Sequence, residues 1–200
     1  MKQAVIVAHP NLDSYTVSVA NAYRESAEAA GGVVVFRDLY RMAFDPCLHA
    51  EEIPGSPNYR VREDVAGERA LISDVEAFVL VYPLWLNAPP AILKGYIDRV
   101  FGFGFGFGAE NSGLEPRLSG RKLLSITSSG APRHWVVDTG ALNAVRTLFD
   151  THLAKVCGLA VLDHIHFGSI TPTMTKEAVE RNLNSVRNTA SWLNRDDSSN

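Results

Sequence analysis

The sequence predicts an α/β domain: one five-stranded parallel sheet with helices packed on both faces. Three observations predict it. Short apolar runs alternate with longer amphipathic segments along all 200 residues. The first run, Ala4-Val5-Ile6-Val7-Ala8, is apolar throughout, as in a strand covered on both sides. No internal repeat supplies the further β/α units that a barrel needs.

The elements follow in order. Ser14 caps a first helix whose inward face is Val17, Ala20, Tyr23, Ala27 and Ala30, and Gly31-Gly32 ends it. Strand two is Val33–Phe36. Residues 38–59 carry Pro46, Pro54 and Pro57 and little periodicity, which makes a long connection of the functional or mobile kind. A helix over 61–73 precedes strand three, Ala77–Val81. Pro89 or Pro90 opens the next helix, which runs to about Val100. Beyond a glycine-rich excursion, Lys122–Thr127 is strand four. A helix over about 138–156 leads to strand five, Ala160–Ile165. The last helix covers Lys176–Leu193, and 194–200 should fray. Strand order 2-1-3-4-5 makes a doubly wound three-layer sandwich, with residues 1–200 as one domain.

Composition excludes several function classes. Nineteen basic against 22 acidic side chains, net −3, provide no surface for a nucleic acid, and 46% hydrophobic content supports a large core. No apolar run reaches the length of a membrane span, and no cleavage pattern follows the run after Lys2. Cys47 and Cys157 are too few for a disulfide framework. Following Leu153, Ala154 and Val156, Cys157 reads as a small buried hydrophobe rather than a nucleophile. The cytoplasm is the expected compartment.

In an open sheet of this order, ligands bind at the reversal between strands one and three, at the carboxyl edge. Three loops meet there. In the first, His9 to Thr16, free helix N–H groups and the hydroxyls of Ser14 and Thr16 suit a phosphate, with His9 as a further donor. A plain capped helix is the other reading of this loop alone. It has neither the glycine fingerprint of a nicotinamide Rossmann site nor a P-loop lysine. The second loop, Pro83 to Pro89, sets Trp85 between Leu84 and Leu86 beside a proline-rich turn. It suits a wall for an aromatic ring, although Trp85 also fits an ordinary core. The third, Thr127-Ser128-Ser129-Gly130-Ala131, combines small donors with a glycine that lets backbone approach a planar ligand; a plain turn is its alternative.

Phe101-Gly102-Phe103-Gly104-Phe105-Gly106-Phe107-Gly108 is too glycine-rich for a packed helix and too aromatic to lie in water. A dimer seam and an apolar wall over the ligand both fit it. His164 and His166 alternate on a strand and share a side, but two ligands with no placed carboxylate do not make a metal site, and none is expected.

The motifs now resemble the flavodoxin-like NAD(P)H:quinone oxidoreductases, including the ancillary oxidoreductases of potassium efflux systems. The resemblance rests on Ala8-His9-Pro10 with Ser14-Tyr15, Asp38-Leu39-Tyr40 with Phe44-Asp45-Pro46, and Tyr82-Pro83-Leu84-Trp85 with Pro90-Ala91-Ile92-Leu93-Lys94-Gly95 and Asp98-Arg99-Val100-Phe101. Leu124–Gly130 and Cys157-Gly158 complete it in family order. It implies a homodimer with interfacial active sites and non-covalent FAD, or alternatively FMN. It implies NADH or NADPH as donor and hydride transfer through flavin N5 to a quinone or similar small electron-poor acceptor. His9, Ser14, Tyr15 and Thr16 would hold the flavin phosphate region. Pro83, Leu84, Trp85, Leu86 and Asn87, with Thr127, Ser128, Ser129 and Gly130, would surround the ring. Phe105, Phe107 and Trp135 would line the acceptor pocket.

The chain departs from the pattern at one place. Where the best-known quinone reductases carry a tyrosine and then a histidine beyond the fourth-strand loop, Trp135 and Ala141 stand here. His134 is the neighbouring candidate for that proton chemistry. An azo or nitro compound reductase is the enzymatic alternative. A regulatory subunit on a membrane transporter is the alternative of another class, motivated by the long 38–59 connection and the missing pair.

Overall fold

The computed structural model describes residues 1–110 and 113–196. Along the chain come β1 (Lys2–Val7), α1 (Tyr15–Ala29), β2 (Val33–Asp38), a 3₁₀ turn (Ala50–Glu52), α2 (Glu63–Leu71), β3 (Ala77–Pro83) and α3 (Ala91–Val100). There follow a hairpin of β4 (Phe107–Glu110) and β5 (Gly113–Pro116), then β6 (Lys122–Ser128), α4 (Arg133–Asp138) and α5 (Ala141–Val145). A π-helical coil (Arg146–His152), α6 (Leu153–Cys157), β7 (Ala160–Phe167) and α7 (Lys176–Asp196) complete the described chain.

The five long strands pair in parallel in the order β2-β1-β3-β6-β7, the expected 2-1-3-4-5. β3 at the centre is buried at every position, which is why its sequence shows no polar alternation. Its side chains still alternate between faces. Val79 and Val81 join Val17, Ala20 and Tyr23 of α1 and Val186, Ala190 and Leu193 of α7. Phe78, Leu80 and Tyr82 join Leu93, Tyr96 and Phe101 on the other face. The register sets Val81 level with Val7 on one side and Ile126 on the other, so the strands end together at one edge.

Four expectations are corrected. The helix over 138–156 is two pieces, because Gly140 takes a left-handed φ of 73° and separates α4 from the coil that starts at Ala141. Pro83 and Ser128 belong to strands rather than to loops, and Thr127 lies in strand four as its expected bounds had it. The phenylalanine–glycine run turns into the β4–β5 hairpin, where a Cβ at Gly106 would lie 2.0 Å from the Phe101 carbonyl oxygen. Asn194 to Asp196 continue α7 instead of fraying; residues 197–200 lie outside the described ones. The physical reason is a buried polar trio: Tyr23 Oη donates to Gln3 Oε1 (2.5 Å), and Gln3 Nε2 donates to Asn194 Oδ1 (3.0 Å).

The 38–59 connection is pinned, not loose. Arg99 on α3 has a fully buried side chain that pairs with Glu52 (2.9 Å) and Asp64 (2.7 Å) and donates to the Asp45 carbonyl (2.6 Å). Gly95, one turn earlier, lets Pro46 lie directly on the helix, since a Cβ there would fall 2.1 Å from the Pro46 oxygen. Nearby, Arg37 pairs with Glu68, which also accepts from Tyr96 Oη at 3.2 Å. Removing one partner of a buried pair strands the others. Arg99→Ala should therefore lower unfolding stability by about 3–5 kcal/mol, measured by urea denaturation. A loss below about 1 kcal/mol would show that the guanidinium does not hold the connection.

Candidate functional site

The three loops do meet at the carboxyl edge of the sheet. Ser14 is the N-cap of α1, with extended φ/ψ of −74° and 153°, and its Oγ accepts from Val17 N at 3.2 Å. The first-turn N–H groups of Tyr15 and Thr16 remain beyond the reach of intrahelical bonds, as at any helix start. The Tyr15 phenol turns away toward α7, where Asn182 donates to it (3.0 Å) and Phe167 packs edge-on. Burial pushes that phenol up to about 12, so it contributes backbone rather than acid–base chemistry. His9 Nδ1 receives the Asn11 N–H at 3.1 Å. The same Nδ1 lies 3.2 Å from the Asn11 carbonyl, so the Asn11 backbone holds the ring in place with either nitrogen protonated. Arg41, unremarked in the sequence, reaches the Pro10 carbonyl (2.5 Å) and brings a fixed cation beside this loop.

The second loop is a two-residue reverse turn. Trp85 and Ala88 exchange both backbone hydrogen bonds at 3.0 Å, and Leu86 and Asn87 take φ of 49° and 58°. Asn tolerates that left-handed region; a leucine there is strained by about 1–2 kcal/mol. Leu86 is nevertheless fully exposed, so burial does not offset the strain. The Asn87 amide donates to the Ala141 carbonyl at 3.0 Å and fixes the turn against α5. The His9 and Trp85 rings meet edge-on at 5.6 Å, tying loops one and two, and Leu84 N donates to Ser128 O (2.7 Å), holding the start of loop two to the last residue of β6, where loop three departs.

The third loop is Ser129–Pro132. A Cβ at Gly130 would make only ordinary contact, with the Ile170 oxygen at 3.8 Å, and Gly130 itself is exposed. His134 and Trp135 sit exposed on the first turn of α4. Phe105 and Phe107 are not brought to this edge. Phe105 packs on Phe101, which lies 4.9 Å from Phe78 near the start of β3. Roughly 15 Å of strand separates Phe78 from Pro83. Phe107 lines a cleft of about 510 Å³ with Phe103, Ile97, Leu148 and Phe149.

Sequence reasoning passed over a row of polar groups under loop three. Ser125 Oγ donates to Asp150 Oδ1, and Asp150 Oδ2 meets His164 Nδ1, both at 2.6 Å. His164 Nε2 contacts Thr127 Oγ1 (2.8 Å), which contacts His166 Nδ1 (2.9 Å), and His166 Nε2 reaches Ser129 Oγ (3.1 Å). All six side chains are buried. The shared side of His164 and His166 was legible from their spacing. Asp150 was not, because the π coil sets which of its residues turn inward. Among the described residues no three His, Cys, Asp or Glu side chains group as metal ligands. Cys157 is buried, its thiol pushed up to about 11 by burial.

Comparison with known proteins follows from this geometry. The profile of the Flavodoxin_2 family, a flavodoxin-like fold, matches residues 1–190. An uncharacterized NAD(P)H oxidoreductase of Haemophilus influenzae is 33% identical over 85% of each chain. NAD(P)H dehydrogenase [quinone] 1 of Rattus norvegicus is 26% identical over 80% of this chain and 65% of its own. The solved NAD(P)H:quinone oxidoreductase of Methanothermobacter marburgensis superposes with a TM-score of 0.86 at 28% identity, covering 96% of this chain and 98% of that one. The chain belongs to this flavodoxin-like family, and with it to the oxidoreductase enzymes.

Burial, then electrostatic repulsion from the neighbouring His164, Arg133 and Arg146, holds His166 down to about 4. Unfolded, an imidazole binds its proton near 6.5. The stability this group contributes is therefore complete above about pH 6.5 and is lost as pH falls toward 4. His166→Gln should flatten the decline in urea midpoint between about pH 7 and pH 4.5; an unchanged pH profile would place the loss elsewhere.

Proposed function

We propose that the chain is a flavin-dependent NAD(P)H oxidoreductase delivering a hydride to a quinone or similar electron-poor acceptor. The observation that carries the reading is the tethering of three loops at one sheet edge through His9–Trp85 and Leu84–Ser128. The residues fit a flavin. The start of α1, with the His9 imidazole and Arg41 beside it, suits phosphate oxygens. Trp85 and the backbone of the Leu86–Asn87 turn suit the ring, and the space beside Gly130 admits its edge. When bound, the flavin supplies the hydride chemistry. The chain holds the phosphate and fixes the ring against loops two and three. Backbone donors there would favour negative charge on the ring. FAD is the cofactor by family likeness, with FMN as the alternative.

A homodimer accords with the apolar cleft. Leu148 and Phe103 border it, and a second copy could carry Phe105 and Phe107 to the acceptor face that they do not reach within one chain. Azo and nitro compounds are the competing acceptors. Nothing in the fold favours a transporter subunit over the enzyme, and a turnover measurement separates them.

Purified protein should show a flavin spectrum that NADH or NADPH bleaches without oxygen and a quinone restores. Folded protein that takes up neither FAD nor FMN would sink the reading. Rapid restoration by azo or nitro compounds but not quinones would move the acceptor class, and negligible turnover with any of them would favour the regulator. Gly130→Ala should leave the unfolding midpoint of the flavin-free protein within about 0.5 kcal/mol of wild type. The same variant should weaken flavin binding about tenfold or more, because the added methyl enters the ligand's space. Unchanged affinity would put the ring elsewhere.

A further inference from the structure

The row from Asp150 to Ser129 is constrained by its two hydroxyls. Thr127 and Ser129 each have one proton to give. Suppose His164 is neutral, its Nδ1–H directed at the Asp150 carboxylate. Its Nε2 then accepts the Thr127 proton, Thr127 Oγ1 must accept from His166 Nδ1–H, and His166 Nε2 accepts the Ser129 proton. Ser129 Oγ has a second acceptor, however, in the Ala131 carbonyl at 2.9 Å. If its proton goes there, every link must reverse. His166 donates from Nε2 and accepts at Nδ1, and Thr127 accepts from His164 Nε2–H. His164 becomes an imidazolium against Asp150. Among the described residues the competing acceptor for Thr127 is the Ile165 carbonyl, at a long 3.4 Å.

The two arrangements use the same atoms and differ by one proton. We propose that Asp150, His164, Thr127, His166 and Ser129 form a proton store under the ring-binding loop. Its charge state sets the direction of the Ser129 hydroxyl and the tautomer of His166. The balance is simple: one proton from solvent converts the row from a net charge of −1 to 0, with no other bond made or broken. The groups that face it are Tyr82 from β3 beside Asp150, Arg146 from the π coil, whose guanidinium donates to the His164 carbonyl (2.7 Å), Arg133 from α4, and Asp163, which accepts the His164 N–H (2.6 Å). His166 itself stays neutral because burial and these cations oppose its charge. Negative charge arriving at loop three favours the arrangement with the extra proton. This service to a flavin rests on the proposed function; the switch itself does not. In that service the row does what His134 was expected to do.

The test uses the full chain without cofactor, read by ¹⁵N imidazole NMR from about pH 8 to about pH 5. His166 should remain neutral and move its proton from Nδ1 to Nε2 in step with the protonation of His164. In Thr127→Val, His164 should still titrate while the His166 tautomer no longer follows, and Thr127→Ser should restore the coupling. A His166 tautomer that stays fixed in the wild type while His164 titrates would overturn the proposal. If Thr127→Val does not fold, Asp150→Asn removes the counter-ion of a protonated His164 and should leave His166 in its Nδ1–H tautomer throughout; a switch that persists in it would equally overturn the proposal. With flavin bound, photoreduction without nicotinamide should draw about one more proton per chain into wild type than into His164→Gln, which lacks the group that takes it. Equal uptake would remove the service to the ring. A protein that switches tautomer but binds no flavin would sink the proposed function and leave the store standing.

Discussion

Parallel hydrogen bonding that sets Val81 level with both Val7 and Ile126 is the constraint from which the rest of the molecule follows. A parallel sheet buried on both faces cannot slip register without moving its apolar side chains or breaking its ladder. With the strands locked, their carboxyl ends form one edge, and the three segments leaving that edge have little freedom in where they begin. The contacts between His9 and Trp85 and between Leu84 and Ser128 follow from that common origin. The site is made of short segments on a rigid base, which is how a fold can hold a strained turn such as Leu86–Asn87 without burying it.

Two buried polar systems use similar groups for different ends. Around Arg99 one guanidinium, which only donates, is met by two carboxylates and a carbonyl, which accept. That arrangement permits one proton count and has nothing to switch. The Asp150–Ser129 row includes groups that can both give and take a proton, and Ser129 has two acceptors for one hydrogen. The first system fixes the 38–59 connection to α3; the second leaves a choice open beneath a ligand loop. The distinction lies in counting donors against acceptors: the Arg99 side chain is buried like the row, although its partner Asp64 reaches the surface.

Most of the architecture was legible in the sequence because apolar runs and glycine stops are local signals. Strand order and the caps at Ser14 and Gly31 needed nothing further. The misses have physical causes. The break at Gly140 was hidden because apolar positions continue on both sides of it. The 38–59 connection lacks periodicity, so its anchorage through Arg99 lies in contacts 35 and 47 residues apart. The pair His164 and His166 was weighed only as metal ligands. Its partner Asp150 comes from a different element, and spacing along a strand cannot announce such a meeting. The loops nearest the sheet were the easiest site residues to place, while the phenylalanines beyond α3 were the hardest.

The π coil over Arg146–His152 repays a last look. Regular helices turn by roughly 100° per residue, and this widened stretch accommodates extra chain while α5 and α6 continue on either side. Asp150 owes its inward aim to that surplus. Deleting one position there would wind the stretch back to ordinary pitch and swing the carboxylate outward, leaving two imidazoles without their counter-ion. Relatives that differ by a single residue in this coil would keep the sheet and its loops yet lack the buried acid. Alignment length at this spot, more than percentage identity, would then sort the members that own the row from those that do not.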